Sequence, residues 1–294
     1  MRQEAYFCTV KELDELGKNN IPRQLISHTH LIYSSPATLA FNSPGAEGFG
    51  VKRAGLAVPD SVMLIVSPGC CGRNTSVLSS MRAYQDRFYY LLMDETDIVT
   101  GRHLKKIPKA VAEICEGLKK KPSVVMICIT CVDALLGTDM ERVCHKAEEY
   151  AGVPVRPCYM YALTREGRKP PMVHVRQSVY SLLEPKKKKG NVVNLLGYFS
   201  PLTDDCELYD LLHGAGVKTI HEISRCKDYA QYQTMSEANF NLVLHPEARF
   251  AAEDFHDRLK IPYIELRRLY QIDKIASQYR AFAVSYTHLR AHET

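Results

Sequence analysis

Two stretches decide the fold: SVMLIVSPGCCGRN at residues 61–74 and SVVMICITCVDALLGTDM at residues 123–140. Each opens on a short apolar run, residues 61–67 and 123–129, and each run ends in a turn that carries thiols. Runs of this length bounded by Pro, Gly and charge read as buried parallel strands. In open parallel sheets, ligands sit just beyond the carboxyl ends of the strands. Cys70 and Cys71 follow the first run and Cys131 the second, so all three are expected at a ligand-bearing edge. An iron–sulfur cluster is the group such thiolates suit best.

Outward from these runs the chain alternates strand and helix. In HLKKIPKAVAEICEGLKKK, Ile107, Val111, Ile114, Cys115 and Leu118 recur at helical spacing, with Pro108 near the first turn, where it is tolerated. Thr138-Asp139-Met140-Glu141 reads as a capping box opening a further helix. Residues 153–156 read as a strand and 173–183 as a helix. The charged run Glu184-Pro185-Lys186-Lys187-Lys188-Lys189-Gly190 marks the best domain boundary. Beyond it, strands are expected at 191–196, 217–220, 240–244 and 262–266, with helices at 204–212, 230–237 and 248–259. The alternation predicts the α/β class: two Rossmann-like domains with parallel sheets flanked by helices. An N-terminal segment at 1–30 precedes a first domain at 31–185, which carries the thiol turns, and a second at 190–283. The closing residues 284–294, VSYTHLRAHET, do not extend the preceding helical pattern and look like a translated sequencing-adapter tail, so a non-native tail is expected there.

Composition bounds the class. The chain has 294 residues, 46% apolar and 24% charged, which favours neither disorder nor a membrane class. Its apolar runs are strand-sized, far short of the ~20 residues of a spanning helix. The first residues carry acidic side chains and no apolar secretory core, so export is not expected. Ten cysteines then imply a reducing cytoplasm, where thiols bind metal or stay buried. The net charge of +5 comes largely from lysines at 119–121 and 186–189. These runs sit at element ends without interleaved aromatics, the pattern of a solvated surface and not of a nucleic-acid face.

The thiols divide by context. Cys70 and Cys71 lie in Pro68-Gly69-Cys70-Cys71-Gly72, where glycines permit close approach of a bulky inorganic ligand. The plainer alternative is a pair of small buried residues. Cys128 and Cys131 form a C-x-x-C, but Cys128 falls inside the apolar run and reads as core, leaving Cys131 as the available thiol. No second C-x-x-C completes a zinc ribbon. Cys8, Cys115, Cys144, Cys158, Cys206 and Cys226 read as structural.

The Pro-x-x-Cys-Gly turn containing Cys71, the segment MDETDIVTGRHLKKI and the segment ITCVDALLGTDM resemble the nitrogenase component 1 family. ELYDLLHGAGVKTIHEIS and NFNLVLHPEARFAAEDFHDRLKIPYIEL extend the resemblance, which covers roughly residues 32–279. It implies a subunit of a nitrogenase-like oxidoreductase. In the family, cysteines matching Cys71 and Cys131 bind an iron–sulfur cluster at a subunit interface, and an ATP-dependent iron protein supplies electrons for passage to a substrate. The implied partners are that iron protein and a homologous sister subunit or second copy of the chain, with no nucleic acid and no membrane. The implied alternative is a non-catalytic scaffold for metal-cofactor assembly.

Three departures qualify the resemblance. The stretch LAFNSPGAEGFG lacks the family's additional N-terminal cysteine; Ser43 there reads as a turn residue. With Cys71 and Cys131 as the matching thiolates and Cys70 as understudy, a four-iron cluster would draw further ligands from a second chain. His245 stands where the catalytic subunit of nitrogenase has its cofactor cysteine. Imidazole can bind iron, but substrate contact or protonation is the expected role. The family's third α/β domain is expected to be missing, which would leave this piece inactive alone.

Overall fold

The computed structural model describes residues 9–17, 19–20, 22, 50–69, 81–82, 84–159 and 169–293. Ser43, Cys70 and Cys71 lie outside the described residues, as does the side chain of Cys131. Among the described residues, eight strands form two four-stranded sheets in which every neighbouring pair is parallel. In the first, β1 (Val62–Ser67), β2 (Phe88–Leu92), β3 (Val125–Ile129) and β4 (Val155–Tyr159) run in the order β2-β1-β3-β4. In the second, β5 (Val192–Leu196), β6 (Thr219–His221), β7 (Phe240–Val243) and β8 (Tyr263–Glu265) repeat that order as β6-β5-β7-β8.

Central strands β1, β3, β5 and β7 are buried along their whole length, which is why they read as near-continuous apolar runs, interrupted in the second sheet by Asn194 and Asn241. Edge strand β2 is buried only at Phe88 and then alternates between partly buried and exposed positions, which gives no such signal, and no strand was expected there. β4 starts two residues after the expected position and runs through Pro157. Proline removes a ladder donor, a loss that an edge strand tolerates.

The helices are α1 (Val10–Leu16), α2 (Val51–Gly55), α3 (Glu95–Thr100), α4 (His103–Gly117), α5 (Cys131–Leu136), α6 (Met140–Ala151), α7 (Pro171–Tyr180), α8 (Glu207–Gly214), α9 (Tyr229–Gln233), α10 (Arg249–Leu259) and α11 (Ile272–Glu293). One face of the first sheet, with Leu64, Val66, Ile127 and Ile129, packs on Ile107 and Val111 of α4 and on Met140 and Cys144 of α6. The opposite face, with Met63, Ile65, Met126 and Cys128, shares one core with α2, α7 and α10 and reaches Leu196 and Val243 of the second sheet. α7 is thus packed between the two halves. The far face of the second sheet covers itself with α8 and α11.

Three details correct the sequence reading. α6 is capped by Asp139, whose carboxylate accepts the Arg142 N–H at 3.1 Å, while the Thr138 hydroxyl turns back to Asp133. Asp139 reads as a middle residue of a box, yet it is the side chain nearest the first free donors. Pro108 sits in the second turn of α4, not its first. α11 runs on through Glu293, and Tyr286 is fully buried against Phe240 and Phe282, so residues 284–293 continue the helix. Ile275, Tyr279, Phe282, Tyr286 and Leu289 recur along it at helical spacing, and Phe282 and Tyr286 are buried in the core of the second sheet.

Within the second sheet, Asn194 of β5 lies opposite Asn241 of β7. Both are fully buried, and the Asn194 amide donates to Asn241 Oδ1 at 2.7 Å and to the Met235 carbonyl at 2.9 Å.

Candidate functional site

In each sheet the first strand connects outward to one side and the chain then crosses to the other. The carboxyl ends of β1 and β3, and of β5 and β7, therefore flank the two switch points where parallel sheets bind ligands.

At the first switch point β1 ends in Ser67 and β3 is followed by Thr130 and then by Cys131, the first residue of α5. The Val66–Ile129 register makes Ser67 and Thr130 neighbours across adjacent strands. Both are buried, and neither hydroxyl has a hydrogen-bond partner among the described residues.

The two motifs flanking this edge meet through a buried pair. His103, at the start of α4, places Nε2 2.9 Å from Asp133 Oδ1 and Nδ1 3.0 Å from the Asp97 carbonyl. The ring thus bridges two oxygens, the Asp97 carbonyl on one side and the Asp133 carboxylate on the other. The Thr138 hydroxyl donates to the same Asp133 oxygen at 3.1 Å, while Oδ2 is buried with no partner among the described residues. α5 is thereby pinned to α4 two residues after Cys131.

Asp97 anchors the same corner. It caps α3 reciprocally with Asp94 and accepts from Lys106 Nζ and Arg102 Nε, each at 2.7 Å. The Lys106 ammonium, then the Arg102 guanidinium, hold its carboxyl far below the ordinary 3.8. A depressed carboxylate contributes stability present above its unfolded pKa and lost as pH falls through the folded value. Amide exchange across α3 and the first turn of α4 is thus expected to rise on acidification from about pH 5 to about pH 2, after correction for intrinsic rates. Exchange unchanged over that interval would remove Asp97 from this role.

At the second switch point His245 follows β7 and caps the short turn Pro246–Ala248, its Nδ1 accepting the Glu247 N–H at 3.3 Å. The Tyr198 ring meets the imidazole edge-on at 5.7 Å between centroids. Gly197, after β5, has φ of +137°, and a Cβ there would stand 2.8 Å from His245 Cβ. Only glycine lets the two strand ends approach this closely. Behind them Arg176 of α7, 3% exposed, donates to the Gly197 carbonyl at 3.1 and 2.6 Å and pairs with the Glu247 carboxylate.

Among the expected site residues, Cys131 begins α5 at the first edge and His245 stands at the second. Cys128 is fully buried in β3, opposite Cys158, as a core residue. Burial pushes the Cys144 and Cys115 thiols up and Cys226 to about 11, which keeps them protonated and inert. Among the described residues no group of three or more His, Cys, Asp or Glu could hold a metal ion. No helix among them is long and apolar enough to cross a membrane. Sequence reading missed His103, Asp133 and Asp97. Their signal was a histidine and two acids inside the very segments that carry the family resemblance.

Comparison with known proteins agrees with this architecture. Residues 47–288 match the family described as nitrogenase component 1 type oxidoreductase. The nitrogenase iron-molybdenum cofactor biosynthesis protein NifE of Nostoc sp. is 27% identical over 225 residues, 74% of this chain and 46% of that protein. The NifE protein of Rhizobium meliloti is 27% identical over 74% of this chain and 47% of its own length, and that of Methanococcus maripaludis 23% over 80% and 50%. The chain thus spans about half the length of the curated relatives it matches. A solved structure described as nitrogenase Cp1 at pH 6.5 superimposes with a TM-score of 0.58 at 17% identity, covering 79% of this chain and 56% of that one, a likeness of fold.

Proposed function

The chain belongs to the nitrogenase component 1 type oxidoreductase family, and from that membership we propose a subunit that holds an iron–sulfur cluster at a subunit interface and relays electrons from an ATP-dependent iron protein to a substrate. The observation that carries this reading is the shared edge of β1 and β3. Cys131 opens α5 immediately beyond β3, and Cys71 is four residues past the end of neighbouring β1. Adjacent strands lie ~4.8 Å apart and four residues span at most ~14 Å, so both thiols have the reach to share one cluster. Soft thiolates suit the iron of such a group, and the strand-end hydroxyls of Ser67 and Thr130 have no partner among the described residues.

Such a cluster, when bound, supplies one-electron transfer. The chain's own residues would do the rest. Cys71 and Cys131 hold the group, with Cys70 in reserve, and the sister subunit or a second copy completes the ligand set. The His103–Asp133 pair keeps α5 in place so that Cys131 is presented in one position. At the second switch point His245, oriented by Glu247 and Tyr198, would contact or protonate the substrate.

His245→Gln in the complete subunit is expected to leave the interfacial cluster's absorbance intact and to depress turnover by ~10²–10⁴-fold, the span of general acid catalysis. Bound iron lost with the imidazole would show a metal ligand instead.

The names of the matched relatives favour a second reading, a scaffold on which a metal cofactor is assembled and then released. Loaded protein handing iron to an acceptor apoprotein without substrate turnover would favour the scaffold. Turnover with the iron protein, ATP and the sister subunit would favour the reductase.

A further inference from the structure

The hydroxyls of Ser67 and Thr130 are buried yet form no hydrogen bond among the described residues. A buried hydroxyl without a partner destabilises a protein by ~1–3 kcal/mol. Two of them at neighbouring register positions call for a function. Strand alternation fixes where they point. Val62, Leu64 and Val66 face α4 and α6, as do Val125, Ile127 and Ile129. Ser67 and Thr130 continue the other series, with Met63 and Ile65 and with Met126 and Cys128, toward α7 and the second half. Both hydroxyls therefore sit on one face of the sheet, at its carboxyl edge, one residue before Cys131 and four before Cys71.

Resting on the cluster reading above, we propose that Ser67 and Thr130 form a hydroxyl pair that donates hydrogen bonds to the sulfurs of the group held by Cys71 and Cys131 and raises its reduction potential. A hydroxyl donor to a thiolate or sulfide sulfur stabilises the more negative, reduced state, and such hydrogen bonds are among a protein's levers on cluster potential. The two hydroxyls' lack of partners among the described residues is then a cost accepted for the loaded state, as functional sites often show.

Thr130→Val and Ser67→Ala remove the hydroxyls with little change of shape, and the test reads each variant twice. In the cluster-free full chain each variant is expected to melt about 2–4 °C above the unsubstituted protein, because an unsatisfied polar atom has been deleted. In anaerobically reconstituted protein each is expected to keep its iron while its midpoint potential moves to a more negative value, and the double variant moves further. A cluster-free variant that melts lower would reveal a structural partner and overturn the proposal, as would unchanged potentials in variants that retain iron. An unsubstituted chain that takes up no iron, alone or with a sister subunit, would instead overturn the cluster reading and take this proposal with it.

Discussion

Cys71→Ala and Cys131→Ala are each expected to abolish the iron–sulfur absorbance of anaerobically reconstituted protein, whereas Cys115→Ala leaves it untouched. With Cys71 and Cys131 as the matching thiolates, loss of either leaves this chain one bond to the group, too few to hold its side of a cluster shared with a second chain. Cys115 is the control because it lies near the end of α4, part-buried among apolar neighbours with its thiol pushed up by desolvation. Cys70→Ala separates the understudy from the ligand: full absorbance assigns the role to Cys71. Iron counted per chain is the decisive measurement, and a Cys131→Ala protein with undiminished iron would end the assignment.

Arg176→Met is expected to cost ~3–5 kcal/mol, the usual loss when one partner of a buried ion pair is removed. The side chain is 3% exposed and ties α7 to both strand ends of the second sheet through the Gly197 carbonyl and Glu247. Without it the Glu247 carboxylate remains buried facing no guanidinium. The Arg176→Met/Glu247→Gln double variant is expected to recover part of the loss, because the orphaned charge is gone. Urea unfolding reads both, and a loss below ~1 kcal/mol for the single variant would show the pair to be solvated.

Central strands were legible because burial on both faces forces continuous apolar sequence, and nothing else in the chain looks like residues 62–67 or 125–129. Of the edge strands, β4, β6 and β8 were also read, with shifted ends, and β2 was not. β2 shows two faces to different surroundings, and β4 contains a proline that only an edge position excuses. The C-terminal helix escaped although Phe282 and Tyr286 stand one turn apart in it; the contact of Tyr286 with Phe240 of β7 is the part that local sequence does not encode. The thiols at the first edge were legible from their place after strands. The His103–Asp133 contact joins residues 30 positions apart, and only the packing of α4 beside α5 brings them together.

The amide pair Asn194–Asn241 has a consequence for how the chain sorts its strands during folding. Two sheets of the same order and sense are built from strands of similar length, so each offers the other's strands a plausible berth. In the first sheet the register pairs Leu64 with Ile127; in the second it pairs the two asparagines. A strand exchanged between them would bury an amide against an aliphatic side chain, at ~1–3 kcal/mol for each group left unbonded. A slip of one residue in β5–β7 would turn the amide of the shifted strand to the opposite face. The buried amides thus act as a sorting label, making trespass between otherwise interchangeable halves, within one molecule or between two crowded nascent ones, the losing arrangement.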